Sequence, residues 1–287
     1  DPRRRIMRPV DPRRGPSAAP RTRGVDTLAR MSAPLSLVTG ASRGIGRAVA
    51  RALAPDHALV LAGRDRDALA RLVDELAAPH GAHALVVDLA EPAGRDAFLS
   101  DLTGLVGQLG RPVQVLVNNA GAAHSAPLHR TTDGEFQRLM ELNCAAPFAL
   151  ARALVPGMIA AGWGRIVNIA STAAIKGYAY TAAYSASKAG LLGWTRALAV
   201  ELASKDIAVN AVCPGFTDTD ISATAVRNIQ ATTGRSEDDA RRALARFSPQ
   251  NRLRTPEEVA ALVAFLARQG AGGITGQALA IDGGETA

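Results

Sequence analysis

Thr39-Gly40-Ala41-Ser42-Arg43-Gly44-Ile45-Gly46 is the stretch on which the reading of this chain turns. Its glycines are spaced G-x3-G-x-G. They follow a short apolar run at 35–39 and open a helical pattern at 45–54. Glycine permits a tight turn and a close approach of backbone N–H groups to a pyrophosphate, and the N-terminus of the following helix adds partial positive charge. A glycine-rich turn also occurs as a plain strand–helix connection. Its place between a strand and a helix is what gives it the form of a nucleotide-binding turn.

Working outward, short apolar runs alternate with longer helical patterns. The expected strands are 35–39, 58–62, 84–87, 113–117, 165–170, 208–213 and 278–281, and the expected helices 45–54, 66–78, 92–108, 133–161, 183–203 and 256–268. Near-continuous apolar strands alternating with helices imply a parallel sheet covered on both faces. The expected fold is therefore α/β, a Rossmann-type doubly wound parallel sheet of about seven strands. One domain, 31–287, holds it. Residues 217–250 interrupt the alternation as a polar, helical insertion. They leave the carboxyl end of a strand, where ligands of such sheets bind, so they are expected to be a substrate lid.

The second strand decides the cofactor. Sites selective for NAD place an acid at its end to bind the ribose hydroxyls. Here the strand ends Leu61-Ala62-Gly63-Arg64, with no acid at Gly63. Arg64 and Arg43 suit a 2′-phosphate, which guanidinium groups bind through paired hydrogen bonds. NADP (NADPH) is expected over NAD. Asp65 lies two positions late for a ribose contact and reads as a helix N-cap.

The formal net charge of +7 raises nucleic acid as a partner, but its distribution argues against one. Residues 1–30 carry nine Arg and three Asp, and the rest of the chain 24 basic and 23 acidic residues. The basicity belongs to the first 30 residues. They are rich in Pro and Arg without hydrophobic period, and are expected to be disordered. Translated upstream sequence before a working start at Met31, a basic arm and a transit peptide are the three origins weighed, the first being favoured. Cys144 and Cys213 form no disulfide framework and have no metal-ligand spacing around them, so two half-buried thiols and no metal are expected. No apolar run is expected to approach the ~20 residues that span a membrane, and no secretory signal is visible. A cytoplasmic protein with neither membrane nor nucleic acid as partner is expected.

The strand at 165–170 ends at Ser171, and Tyr184 and Lys188 follow, spaced by four so that they share a helix face. A phenol, with an ordinary pKa near ~10, is a poor acid–base at neutral pH, and a neighbouring ammonium favours the phenolate. Ser171 is placed to donate a hydrogen bond to a substrate oxygen. The spacing Tyr-x3-Lys alone is common, and its plain alternative is a surface pair.

With these residues the sequence resembles the short-chain dehydrogenase/reductase family, over about residues 35–284. The resemblance is carried by the glycine turn, Asp88-Leu89, Asn118-Asn119-Ala120-Gly121, Asn143, Ser171, Tyr184 with Lys188, and Pro214-Gly215. It implies that Tyr184 exchanges a proton with the substrate oxygen while Ser171 orients it. Lys188 would bind the nicotinamide ribose and lower the Tyr184 pKa, and Asn143 would hold a relay water. Gly40, Ser42, Arg43, Gly44, Ile45 and Gly46 would cradle the cofactor phosphates. Asp88 and Leu89 would meet its adenine, and Asn118, Ala120 and Gly121 its middle. Pro214, Gly215, Thr217 and Thr219 would surround the nicotinamide. For Asn118 and Asn143 a purely structural role weighs equally, since a buried Asn also ties backbone segments together.

Within the family the stretches Ile169–Thr172 and 210–216 look closest to 3-oxoacyl-thioester reductases and polyketide ketoreductases, and the lid resembles 3-hydroxyacyl-CoA dehydrogenases. The implied activity interconverts a ketone and a secondary alcohol by hydride transfer. The implied substrate is a small carbonyl compound, a carrier-bound or CoA thioester among the candidates. Carrier docking is put in doubt because Lys205 fills one expected basic position and Gly162 the other. The lid arginines Arg227, Arg235, Arg241 and Arg242 could meet CoA phosphates, but are read as a solvated face balanced by Glu237, Asp238 and Asp239. The family implies a homotetramer or homodimer. A non-catalytic nucleotide sensor on the same fold is the alternative of another class.

Overall fold

The computed structural model describes residues 33–287; the basic segment 1–30 and Met31 lie outside the described residues. Seven parallel strands form one sheet in the order β3-β2-β1-β4-β5-β6-β7. They are β1 (Leu35–Thr39), β2 (Ala58–Gly63), β3 (Ala82–Val86), β4 (Val113–Asn118), β5 (Gly164–Ile169), β6 (Ile207–Pro214) and β7 (Ala278–Ile281). The helices are α1 (Gly44–Leu53), α2 (Arg66–Leu76), α3 (Pro92–Leu109), α4 (Asp133–Met140), α5 (Ala146–Ala161), α6 (Ala182–Leu202), α7 (Asp220–Thr233), α8 (Glu237–Ala245) and α9 (Pro256–Leu266). The doubly wound parallel sheet expected from the sequence is the fold found.

Side-chain alternation along the strands builds a core on each face. Leu59 and Leu61 of β2 join α1, α2 and α9 through Val49, Leu53, Leu72, Val263 and Leu266. Ala58 and Val60 face the other way, joining α3, α5 and α6 through Phe98, Leu102, Leu150, Met158 and Leu202. Each buried Leu of this kind is worth about 2 kcal/mol of transfer free energy, which is why both helix layers stay on the sheet.

Because every strand runs the same way, all carboxyl ends share one edge. The chain reverses its order between β1 and β4, the switch point at which such sheets open a crevice. The third strand begins two residues earlier than expected, at Ala82. The insertion at 217–250 contains α7 and α8, which close a small core of Val226, Ala240 and Leu244 with Phe216 and Leu253.

Two expectations need correction. The helical stretch 133–161 is not regular, because a π-turn over Glu141–Ala145 separates α4 from α5. The same stretch is also long and apolar enough to cross a membrane by length and composition, contrary to the expectation of no such run. Residues 142–161 contain one charge, Arg152. Here that apolarity serves the sheet, with Leu150, Ala151 and Met158 buried against it.

Candidate active site

The glycine turn lies at the switch point. Gly40 has a positive φ of 63°, and a Cβ there would stand 2.9 Å from Asn119 Nδ2 and 3.0 Å from Ala120 Cα. Only glycine lets the turn after β1 approach the turn after β4 this closely. Asn119 bolts the two together: its amide donates to the Thr39 carbonyl at 2.9 Å and the Gly40 carbonyl at 3.2 Å. Thr39 Oγ1 in turn accepts from the N–H groups of Asn119 and Ala120, both at 3.0 Å.

Helix α1 opens directly from this turn. Its N-cap, Arg43, makes no side-chain capping bond, and no acid stands in its first turn. Helices α2, α4, α8 and α9 are instead capped by Asp65, Thr132, Ser236 and Thr255. The first N–H groups of α1 are thus left for an external anion, and the cradle fits a pyrophosphate.

At the end of β2, Ser42 lies beside Gly63, where a Cβ would meet Ser42 Oγ at 3.6 Å. Asp65 caps α2 by accepting from Ala68 N, as its position suggested. The two arginines are engaged elsewhere in this state. Arg43 pairs with Asp220 at 2.9 Å and Arg64 with Asp88 at 3.6 Å. Both pairs are exposed, so both are weak and open to exchange for a phosphate. Asp88 also caps Ala90 N at 3.0 Å, and Leu89 is buried beside it.

The chemical end forms where β4, β5, β6 and α6 meet. Ser171 follows β5, and its Oγ accepts from Ala173 N at 3.1 Å. Tyr184 and Lys188 lie on the first turns of α6, with Lys188 Nζ 6.0 Å from the Tyr184 ring centroid. Lys188 is 5% exposed and its ammonium donates to the Ile169 carbonyl at 2.7 Å. Asn143 is fully buried in the π-turn; its Oδ1 accepts from Ala122 N at 2.9 Å and its Nδ2 donates to Ala122 O at 2.9 Å and Ser187 Oγ at 3.0 Å. Gly121 fits over this pair: a Cβ there would stand 3.0 Å from Asn143 Oδ1 and 3.4 Å from Lys188 Nζ. Pro147 has no N–H to give the Asn143 carbonyl four residues back, so that carbonyl loses its α-helical donor.

Electrostatics in this state differ from the expectation in one respect. Burial pushes the Lys188 ammonium down to about 8. Burial also raises the Tyr184 phenol, and only the hydrogen bond with Ser171 opposes that; Lys188 is not among the groups that lower it. The ammonium points its proton at the Ile169 carbonyl instead of the phenol. Cys213, fully buried beside this cluster, has its thiol raised to about 11, again by burial. Cys144 is half-buried and both cysteines are free.

Asn118 is 2% exposed and its side chain is engaged within the sheet. Its Nδ2 donates to Asn168 Oδ1 at 2.8 Å, and Asn168 donates to Thr195 Oγ1 at 2.8 Å, a polar chain through the sheet into α6. Pro214 and Gly215 end β6. Thr217 is buried, donating to the Gly215 carbonyl at 3.0 Å, and Thr219 lies over the glycine turn, where a Cβ on Gly44 would meet its methyl at 3.3 Å. Ile45 and Gly46 form the first turn of α1, with Gly46 buried. Of the lid arginines, Arg242 pairs with Asp239, one of the acids named for that face, and Arg241 pairs with Asp218 instead.

Sequence reasoning missed Arg95. It is buried, donates to the Leu89 carbonyl at 3.0 Å and pairs with Glu141, joining the segment after β3 to the π-turn of Asn143. It also missed the C-terminal residues Asp282 and Glu285, described below. No local motif marks Arg95 or Glu285, since Glu141, Tyr178 and Lys176 are remote from them in sequence.

The family model described as enoyl-(acyl carrier protein) reductase matches residues 40–286. The 3-oxoacyl-[acyl-carrier-protein] reductase of Salmonella typhimurium is 36% identical over 250 residues, which is 87% of this chain and 96% of that protein. A variant of the actinorhodin polyketide ketoreductase solved with NADPH superposes with a TM-score of 0.82 at 35% identity, covering 88% of this chain and 97% of its own. The L-sorbose reductase of Gluconobacter frateurii, solved with NADPH and L-sorbose, gives 0.82 at 31%, with coverage of 89% and 97%.

Proposed function

The chain belongs to the short-chain dehydrogenase/reductase family and is an NAD(P)-dependent oxidoreductase, and from that premise we propose that it reduces ketones with NADPH, 3-oxoacyl thioesters being the favoured substrate class. The observation that carries the reading is the cluster of Ser171, Tyr184, Lys188 and Asn143 beside the uncapped α1 turn.

The nicotinamide supplies hydride to the carbonyl carbon when bound. Ser171 holds the carbonyl oxygen by a hydrogen bond, and the Tyr184 phenol gives it a proton. Lys188, already presenting its ammonium at the end of β5, meets the nicotinamide ribose. Turned from the Ile169 carbonyl toward Tyr184, its charge would ease release of the phenolic proton. Asn143, whose main-chain carbonyl is freed by the π-turn and Pro147, holds a water that returns a proton toward Lys188. The protein's share is positioning and pKa control.

Arg43 and Arg64 support NADPH over NADH. Each is held by an exposed acid that a 2′-phosphate can displace, and Gly63 offers the ribose no carboxylate. The 36% identity to a 3-oxoacyl reductase and the likeness to a polyketide ketoreductase support a thioester. Gly162 favours a second reading, a free ketone. It ends α5 with a φ of 78°, a backbone that disfavours a basic side chain there. Assembly into dimers or tetramers is part of the proposal, supported by Phe148, Ile159 and Val200 exposed on α5 and α6.

The test is NADPH oxidation, with NADH in parallel, against acetoacetyl-CoA and a panel of free ketones. Turnover of the thioester with NADPH supports the proposal. Turnover of free ketones alone selects the second reading, and no turnover in either direction with bound cofactor moves the chain to a sensor.

A further inference from the structure

The C-terminal residues form a hook that the chemistry above does not use. Asp282 is buried, and its carboxylate accepts from Gly284 N at 2.9 Å, Thr286 N at 2.9 Å and Thr286 Oγ1 at 2.6 Å. Burial alone would raise this carboxyl, but the Thr286 side chain and the backbone N–H groups of residues 284–286 together hold it low, so it stays an anion that shapes the turn. Gly283 and Gly284 take φ values of 68° and 91°. Gly283 lies against Ser248 and the buried Arg254, and a Cβ there would stand 2.8 Å from the Arg254 guanidinium.

The hook delivers one group, the carboxylate of Glu285, whose side chain is 1% exposed. One of its oxygens accepts from the Tyr178 hydroxyl and lies 3.3 Å from Lys176 Nζ. The other lies 3.0 Å from where a Cβ on Gly215 would be. Tyr178 accepts in turn from Thr172, 2.7 Å away and next to Ser171, and Lys176 Nζ also donates to the Glu285 carbonyl at 3.3 Å. The Tyr178 ring packs edge-on against Phe216 at the start of the lid and Phe247 at its end, with centroids 6.2 and 5.7 Å apart. One buried carboxylate is thus the junction of the segment after Ser171, the start of the lid and the chain end.

We propose that Glu285 is a positioning residue for the ketone site, acting through Tyr178 and Lys176 to hold the segment 172–180 against Gly215 and Phe216. It touches neither cofactor nor the reacting atoms. The proposal rests on the reading of Ser171 and Tyr184 as the ketone-reducing pair. Loss of the charged acceptor frees the segment 172–180 beside Ser171, so the ketone is held worse, while NADPH, held mainly across the glycine turn, keeps nearly all its affinity.

The experiment uses Glu285→Gln, Tyr178→Phe and the double variant in the full chain. Expected in each single variant is a rise of about tenfold in KM for the ketone, as for loss of one charge-assisted buried bond, with NADPH affinity within about twofold. The double variant should be no worse than either single one, because both remove the same contact. Hydrogen exchange of the unliganded protein should show protection lost in 172–180. Unchanged exchange there overturns the proposal, as does a parallel loss of ketone and NADPH binding. If the unsubstituted protein reduces no ketone, the functional reading fails, while the exchange measurement still decides what Glu285 holds.

Discussion

Lys188 carries the most consequential charge in the molecule. Burial lowers it to about 8, so below that pH it is a cation and above it neutral. The proposed mechanism needs the cation, so activity should be present below pH 8 and fall as pH rises through it. The profile of kcat/KM reports the free enzyme. It should bend downward near pH 8, and Lys188→Arg should move that limb to higher pH; a profile flat to pH 10 would count against the role. In the proposed reading Gly63 sets cofactor choice. A Cβ there meets nothing closer than 3.6 Å, so Gly63→Asp is accommodated. It should shift the ratio of NADPH to NADH efficiency by tenfold or more toward NADH, about 1.4 kcal/mol, since the new carboxylate repels a 2′-phosphate and accepts from ribose hydroxyls. Comparing kcat/KM for both cofactors checks this. At this scale the sequence was informative where helix spacing alone sets a neighbour, as for Tyr184 and Lys188, which the structure places on the first turns of α6 with Nζ 6.0 Å from the ring centroid. It was not for Asn118, whose neighbour Asn168 lies 50 residues away and could not be paired with it in advance.

Among the elements, the helical stretch from Asp133 to Ala161 shows what periodicity leaves out. Its apolar spacing gave one helix, and the π-turn that buries Asn143 adds no residue a pattern would register. Pro147 was the available signal, because it removes the donor of the carbonyl at 143. Pro147→Ala returns that N–H and lets the helix close regularly. The expected result is a fall of about tenfold in kcat with NADPH affinity unchanged and no loss of thermal stability. Steady-state kinetics beside a thermal melt separates this from simple misfolding. At the opposite edge of the sheet Arg165 has a structural use. It is 1% exposed and donates to the carbonyls of Gly164, Asp206, Arg268 and Gln269, joining β5 to β6 and to the end of α9. Arg165→Met should remove these side-chain bonds and the contact with the Asp206 carboxylate, and cost about 3 kcal/mol of stability in denaturant unfolding, with KM values unchanged. A midpoint that does not move would refute it.

On the scale of the whole molecule, seven parallel strands bring residues spread from Thr39 to Pro214 to one edge, and this was legible because strand–helix alternation admits few topologies. The junction at Glu285 was not, since it depends on where the last strand lands beside β6. Val200, 83% exposed on α6, is the apolar residue most in need of a partner surface. Val200→Asp should lower the mass seen by sedimentation velocity, and an unchanged mass would remove that face from the assembly. The central claim is that Tyr184 is the proton donor in hydride transfer to a ketone. It is tested most directly by single-turnover NADPH oxidation in the unsubstituted protein and in Tyr184→Phe, with NADPH affinity measured by fluorescence in both. The account predicts a rate lower by about 10²–10⁴ in the variant with affinity unchanged. A variant that oxidises NADPH at the original rate would contradict it.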